Sequence, residues 1–504
     1  MSARAKFSVV ILVLVAVVMA TLLLLLPRLA NIDQFRPRII ANLERQTGRS
    51  VDIGRLSLAI LPKFSIRADD VAVGNPRDFP QGPFLEIRKI YFDLDFRSAL
   101  QRRLVIKSLE LDQPVVSLLT NSSGHWNTES PRPPTVRPAV WQEGPATPAA
   151  IAEVQINHGH VTCAVVSGSG QLLPISFDAQ DVSAELHDVN PQGLGWNLNP
   201  VRLTQFGSNR GGWAGAASSP PASLQVLQIS WTQPSAVEGE AAASPQGPLV
   251  ARGTLSAQSA RFGDVETTGF KSAVQLYDGG VHLDALDMAL FGGRVTGDFV
   301  WNSRARPSQY AARLALSGID TARLLLAFPN APGKLTGTLE GHLDLRGSTP
   351  PAAATVPGNP LADTDGTGDL TIRNGTLPML RVNADMRQLL KNIVRTGSPS
   401  ADPSSFRSIS ADLEINGGEI RSRQITILGN GIEMDVTGSL ALGGSGRLDY
   451  QGVGKIDTQR NGYSSVLAGI LGSKISGGKI TFPFTLTGTL ESPHFGIKSS
   501  PWFH

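Results

Sequence analysis

Apolar side chains recur at every second position along most of this chain, and that period limits its fold more than any other feature. Leu56, Leu58, Ile60, Phe64 and Ile66 alternate with mostly polar or small residues. So do Leu85 and Ile87, then Ile90, Phe92, Leu94 and Phe96, then Leu109 and Leu111. Further on, Leu335, Leu339, Leu343 and Leu345 share one face, with glycines at two intervening positions. Ile480, Phe482, Phe484, Leu486 and Leu490 oppose Thr481, Thr485, Thr487 and Thr489. A period of two marks strands with one apolar and one polar face. Asn374-Gly375, Asn416-Gly417, Asp278-Gly279 and Asn430-Gly431 read as hairpin turns, since both residue types tolerate positive φ. Thr-Gly-x-Leu/Phe returns at Thr296–Phe299, Thr336–Leu339, Thr437–Leu440 and Thr487–Leu490, too irregularly spaced for a solenoid.

The N-terminus has a different pattern. Val9 to Leu26 is apolar except for Thr21 and spans roughly 27 Å as a helix, close to a bilayer's hydrocarbon thickness. The run meets Pro27 without the small-residue site of a cleaved signal, so it reads as an uncleaved membrane anchor carried by Val9, Leu14, Val18, Leu22 and Leu26. Arg4 and Lys6 favour a cytoplasmic N-terminus, a bias that Arg28, Arg36 and Arg38 partly cancel. The expected placement is single-pass in a bacterial inner membrane, with the main domain in the periplasm.

A short helix is expected next, from Phe35, Ile39, Ile40 and Leu43, with Asn31 or Asp33 as N-cap and Gly48 as its stop. Other helical candidates are few: Thr321–Phe328, Met386–Val394 and Tyr463–Leu471. Strands this numerous cannot be covered by so few helices. The sheet must close as a sandwich or barrel, or curl into a trough lined with Leu, Ile, Val and Phe. A trough would suit lipid, because each buried methylene gains about 0.8 kcal/mol. The fold expected is mainly β. Pro-rich stretches near 128–150, 213–223, 234–248 and 349–362 divide it. The expected segments are 1–30 (tail and anchor), 31–127 (first β module), 128–250 (linker and middle β segment) and 251–504 (C-terminal β segment).

No catalytic constellation stands out. There is no H-E-x-x-H, and Cys163 is the only cysteine. His158 and His160 flank Gly159 in an expected turn and read as a surface pair. Ser445 lacks the spacing of a nucleophile elbow, and Gly472–Lys479 misses the phosphate-loop register. Asp363 and Asp365 have too few neighbours for calcium. A net charge of +3, spread along the chain, gives no stripe for nucleic acid. The basic cluster Arg97, Arg102, Arg103 and Lys107 is expected to be a solvated turn between strands, with contact to anionic head groups at the membrane-proximal end as the alternative. The chain is therefore expected to be no enzyme, with no cofactor, no metal and no nucleic-acid partner.

The segment Ile32–Trp126 resembles the N-terminal region of the AsmA family. The resemblance rests on Gln46-Thr-Gly-Arg49, Val51-Asp-Ile-Gly-Arg-Leu-Ser-Leu58, Ala68–Asn75, Ile106–Pro114 and Gly124-His-Trp-Asn127, in that order after an anchor. Ala152–Val161 is similar to the strand pair that follows in that family. Phe291–Gly297, Gly366–Gly375 and Thr485–Pro493 extend the likeness to the C-terminal half, whereas 128–250 fits poorly. The resemblance implies a long, twisted antiparallel β-sheet curled into an apolar groove that binds or conducts phospholipid between inner and outer membranes. On that reading Leu335, Leu339, Leu343, Leu345, Ile480, Phe482, Phe484, Leu486 and Leu490 line the groove. The inner membrane and outer-membrane or envelope proteins are then the expected partners. A self-packed envelope scaffold that binds proteins is the alternative.

Overall fold

The computed structural model describes residues 32–59, 64–95, 106–121, 125–128, 151–174, 176–190, 246–263, 265–302, 305, 308–326, 335–348, 363–377, 405–429, 432–441, 446–457, 474–476, 479–489 and 492–497. The anchor residues Val9–Leu26 and the helical candidates Met386–Val394 and Tyr463–Leu471 lie outside these. Among the described residues, no helix is long and apolar enough to cross a membrane. The chain forms two compact units, the first holding most residues to 263 and the second most of those from 279 onward.

The first unit opens with a 3-10 turn at Ile32–Phe35 and helix α1 (Arg36–Thr47). Gly48, at φ 67°, stops the helix and returns its N–H to the Glu44 carbonyl, a conformation a side chain would strain. Strands β1 (Val51–Ala59), β2 (Ser65–Gly74), β3 (Pro83–Leu94) and β4 (Ile106–Thr120) pair antiparallel in sequence order. β5 (Ile151–Val165) lies parallel to β4, which departs from the wholly antiparallel expectation. A parallel neighbour requires a long connection, and residues 121–150 separate the two strands in sequence. β6 (Phe177–Val189) and β7 (Gln246–Phe262) then continue antiparallel. His158 and His160 sit inside β5 and not in a turn.

The sheet's first edge is closed by side chains. Arg36 donates to the carbonyls of Ile53 and Gly54, Asp33 accepts from the Leu56 N–H at 3.0 Å, and Glu44 accepts from the Val51 N–H at 3.2 Å. Backbone groups that would invite another strand are thereby occupied.

Most strands of this unit break their alternation once, by placing two consecutive residues on the outer face. The pairs are Gly54-Arg55, Asp69-Asp70, Arg88-Lys89, Asp112-Gln113 and Asn157-His158, level with one another across β1 to β5. Gln180-Asp181 continues the line into β6 after a register shift. Asp70, Gln113, His158 and Asp181 all have φ between 52° and 55°. An inserted residue bends a strand and raises its twist. Aligned across neighbours, these insertions form a crease, with its polar pairs on one face of the sheet and apolar rows on the other. One such row is Ile53, Val71, Ile87, Pro114 and Gly159; the next is Leu56, Ala68, Ile90, Leu111 and Ile156.

In the second unit, β8 (Val265–Leu290) folds back on itself. The Ser272 hydroxyl donates to the Asp284 carbonyl at 2.9 Å, although a straight strand would hold those residues roughly 40 Å apart. Asp278-Gly279 lies between them, where the sequence marks a hairpin. β9 (Gly293–Asn302) and β10 (Gln309–Asp320) precede helix α2 (Thr321–Leu326), where a helix is expected; Ala327 and Phe328 lie outside the described residues. β11 (Thr338–Ser348), β12 (Thr364–Thr376), β13 (Ser405–Asn416), β14 (Glu419–Gly429), β15 (Ile432–Ala441) and β16 (Arg447–Asp457) follow. Each pairs antiparallel with the next. β17 (Lys474–Ser476) and β19 (Pro493–Ile497) flank one side of β18 (Lys479–Thr489), and β16 pairs with the other. Asn416 ends β13 at the expected hairpin. Asn374, at φ 52°, is instead an outward step inside β12, and Asn430-Gly431 lies outside the described residues.

Candidate functional site

Register carries the second unit's alternation from strand to strand without slipping to the other face. One row runs Leu286, Gly297, Leu314, Leu343, Gly368, Leu413, Ser422, Gly438, Tyr450, Leu486 and Phe495. A second runs Met288, Val295, Leu316, Gly341, Leu370, Ala411, Ile425, Val436, Gly452 and Phe484. Where a strand carries an extra residue, as at Ser317-Gly318 and Arg423-Gln424, that residue goes to the far face and the apolar rows stay aligned. At about 4.8 Å per strand the rows extend roughly 50 Å across β8 to β19.

Ionisable side chains of these strands occupy the opposite face and pair there. Arg373 meets Glu340, His342 meets Asp369 at 3.3 Å, Arg423 meets Glu414 at 3.2 Å, and Lys455 meets Asp435 at 2.8 Å. Arg294 hydrogen-bonds Asp287 and holds that carboxyl below its ordinary range. On the apolar face burial pushes the Tyr450 hydroxyl up, an effect the neighbouring Ser422 hydroxyl partly offsets. Tyr310 and Thr364 share a 2.6 Å hydrogen bond.

Large and small residues alternate across neighbouring strands and keep this face level. The Phe482 ring lies over Gly454 and the Phe484 ring over Gly452, where added Cβ atoms would run into them. Leu343 covers Gly368 and Leu345 covers Gly366 in the same way. Phe495 stacks on Phe484 with ring centroids 5.0 Å apart. The aromatic side chains thus lie along the floor and do not stand above it.

The expected apolar residues that register places in strands lie on this face, some of them in two packed groups. Leu339 packs with Val295 and Ile319, joined by Leu314, Leu316 and Leu370. Phe482 and Phe484 pack with Met434 and Val436, joined by Ile425 and Tyr450. Leu343, Leu345 and Leu486 are half-buried, and Leu335 is half-buried just before β11. Ile480 is in register with Ile456 in β18, and Leu490 lies outside the described residues. On the opposite, ionisable face an open depression of about 780 Å³ spans β9 to β14, lined by Arg313, His342, Asp344, Asp369, Glu414 and Arg423. The sequence reading missed Val295, Leu314, Leu316, Leu370, Leu413, Ile425 and Val436, although each obeys the same period of two.

The first unit holds a buried polar node at one end of its sheet. Asn127, fully buried, donates through Nδ2 to Asn75 at 2.8 Å and to the Ser117 carbonyl at 2.7 Å, and accepts from the Leu119 N–H at 2.9 Å. Arg49 donates to the Asn127 carbonyl at 2.5 Å and stacks over Phe84. Among the described residues there is no cluster of His, Cys, Asp and Glu able to hold a metal ion.

Two family models match the chain: YhdP protein over residues 3–161 and the AsmA family over residues 250–425. No curated protein and no solved structure matches.

Proposed function

The chain belongs to the AsmA family, and from that premise we propose that it is an anchored envelope protein whose apolar sheet faces carry phospholipid between membranes. The observation that supports this most is the apolar face of β8 to β19, a single sheet layer continuous in register. A sixteen-carbon acyl chain laid on such a surface gains on the order of 12 kcal/mol over its exposure to water. Transport along it then needs cover, with no bond made or broken, so the protein is proposed to act without a catalytic group. The first unit carries apolar rows of the same kind beside its crease. A part in outer-membrane homeostasis follows from moving phospholipid outward.

In-cell photocrosslinking tests this reading, with a probe at Leu343 on the apolar face and another at His342 on the opposite one. Phospholipid adducts at Leu343 and few at His342 are expected. Equal labelling, or none at Leu343 in a folded chain, would overturn the reading and favour a scaffold.

A further inference from the structure

We propose that the Ser422 and Tyr450 hydroxyls form a station that hydrogen-bonds a lipid's ester carbonyl, and so hold ester-linked lipid in preference to ether-linked lipid; this rests on the lipid reading above. The two side chains share the row that runs from Leu286 to Phe495, on β14 and β16, with Gly438 of β15 between them. In that row and the two that flank it, they are the only described side chains carrying an O–H or N–H group. The Tyr450 ring lies over Gly438, where an added Cβ would run into its Cδ1, and so leans from β16 toward β14. Ser422 is only 3% exposed, and its Oγ has no hydrogen-bond partner. It is near enough to Tyr450 to counter part of the effect of burial on the phenol.

A hydroxyl set in an apolar floor is costly unless it is bonded, and an alanine at 422 would fill the same space without that cost. The backbone groups around it are spent in the strand ladders. The methylenes of an acyl chain offer no acceptor. An ester carbonyl does, and it stands where each acyl chain begins. Tyr450 is half-buried, so a molecule lying on the sheet can reach it. With Ser422 donating to the phenol oxygen, the Tyr450 O–H is left to donate to the carbonyl, and each bond of such a chain strengthens the other. One net hydrogen bond changes occupancy by about two- to ten-fold. The pair would thus hold one point of a lipid that the rest of the face lets slide.

The full chain carrying a photocrosslinker at Leu486, beside Tyr450 on the side away from Ser422, tests this. The vesicles hold equal dipalmitoyl phosphatidylcholine and its di-O-hexadecyl counterpart, which share head group and chain length and differ in the ester carbonyls. Mass spectrometry of the adducts gives the ester-to-ether ratio at that position. A ratio of about two- to ten-fold is expected. It should fall toward one in Tyr450→Phe, which keeps the ring over Gly438, and in Ser422→Ala, which removes a hydroxyl that has no partner within the protein. A ratio near one in the unsubstituted chain, or a preference that survives either substitution unchanged, overturns the inference and leaves lipid carriage standing. No adduct of either lipid in a folded chain defeats lipid carriage itself.

Discussion

Asn127 donates its side-chain amide to the Oδ1 of Asn75 at 2.8 Å, joining two segments 52 residues apart. With Arg49 on its carbonyl, it brings together the ends of three stretches that the sequence marks separately: Gln46–Arg49, Ala68–Asn75 and Gly124–Asn127. Asn127→Leu keeps the branched shape but strands the Ser117 carbonyl, the Leu119 N–H and Asn75 in a dry site. A loss of about 2–4 kcal/mol is expected, measured by denaturant unfolding of the full chain. A change below about 0.5 kcal/mol would mean the node is solvated.

Gly454 and Phe482 should be energetically coupled. Gly454→Ala pushes against the Phe482 ring, and overpacking of this kind costs about 1–3 kcal/mol. Phe482→Ala removes the obstruction, so the double variant should be more stable than the sum of the single effects predicts, by at least about 0.5 kcal/mol. Additive effects would show that the ring does not pave the glycine.

The plug on β1 should keep the chain from pairing edge to edge. Replacing Asp33, Arg36 and Glu44 together with Ala frees the Val51 and Leu56 N–H groups and the Ile53 and Gly54 carbonyls. More self-association is expected by size-exclusion chromatography with light scattering, with strand content unchanged by circular dichroism. An unchanged mass would show that the edge is protected another way.

Cys163 should react slowly. Burial pushes its thiol up from the ordinary range, against a hydrogen bond with Ser176 that lowers it. A raised folded value means that the stability it contributes is present below the unfolded value and is lost as pH rises through the folded one. The alkylation rate of native protein should therefore rise at a higher pH than that of the unfolded chain. Ser176→Ala should displace the curve further upward. Coincident native and unfolded curves would contradict this.

Much of this was legible in the residues. The period of two gave the strands and the apolar side of β11 and β18, and Gly48 marked the end of α1. The Thr-Gly-x-Leu/Phe repeat has a physical cause as well. Gly297, Gly337, Gly438 and Gly488 all have positive φ, from 94° to 155°, where a side chain would be strained. The crease was readable but unread: Ile87-Arg-Lys-Ile90, Leu111-Asp-Gln-Pro114 and Ile156-Asn-His-Gly159 each insert a second polar residue into the alternation. The parallel placement of β5 could not be read, because its partner is chosen by tertiary pairing across a long connection. The burial of Asn127 was equally hidden, since Asn75 and Arg49 are distant in sequence.

The central claim is that one apolar row bears lipid along its length. It is tested most directly by in-cell photocrosslinking at Leu314, Leu343, Leu413 and Leu486, which lie in a single row from β10 to β18. Controls at Arg313, His342, Asp412 and Thr485 sit on the opposite face of the same strands. The account predicts phospholipid adducts at all the leucine positions and few at the controls. Adducts confined to one end of the row, or equal on both faces, would contradict it.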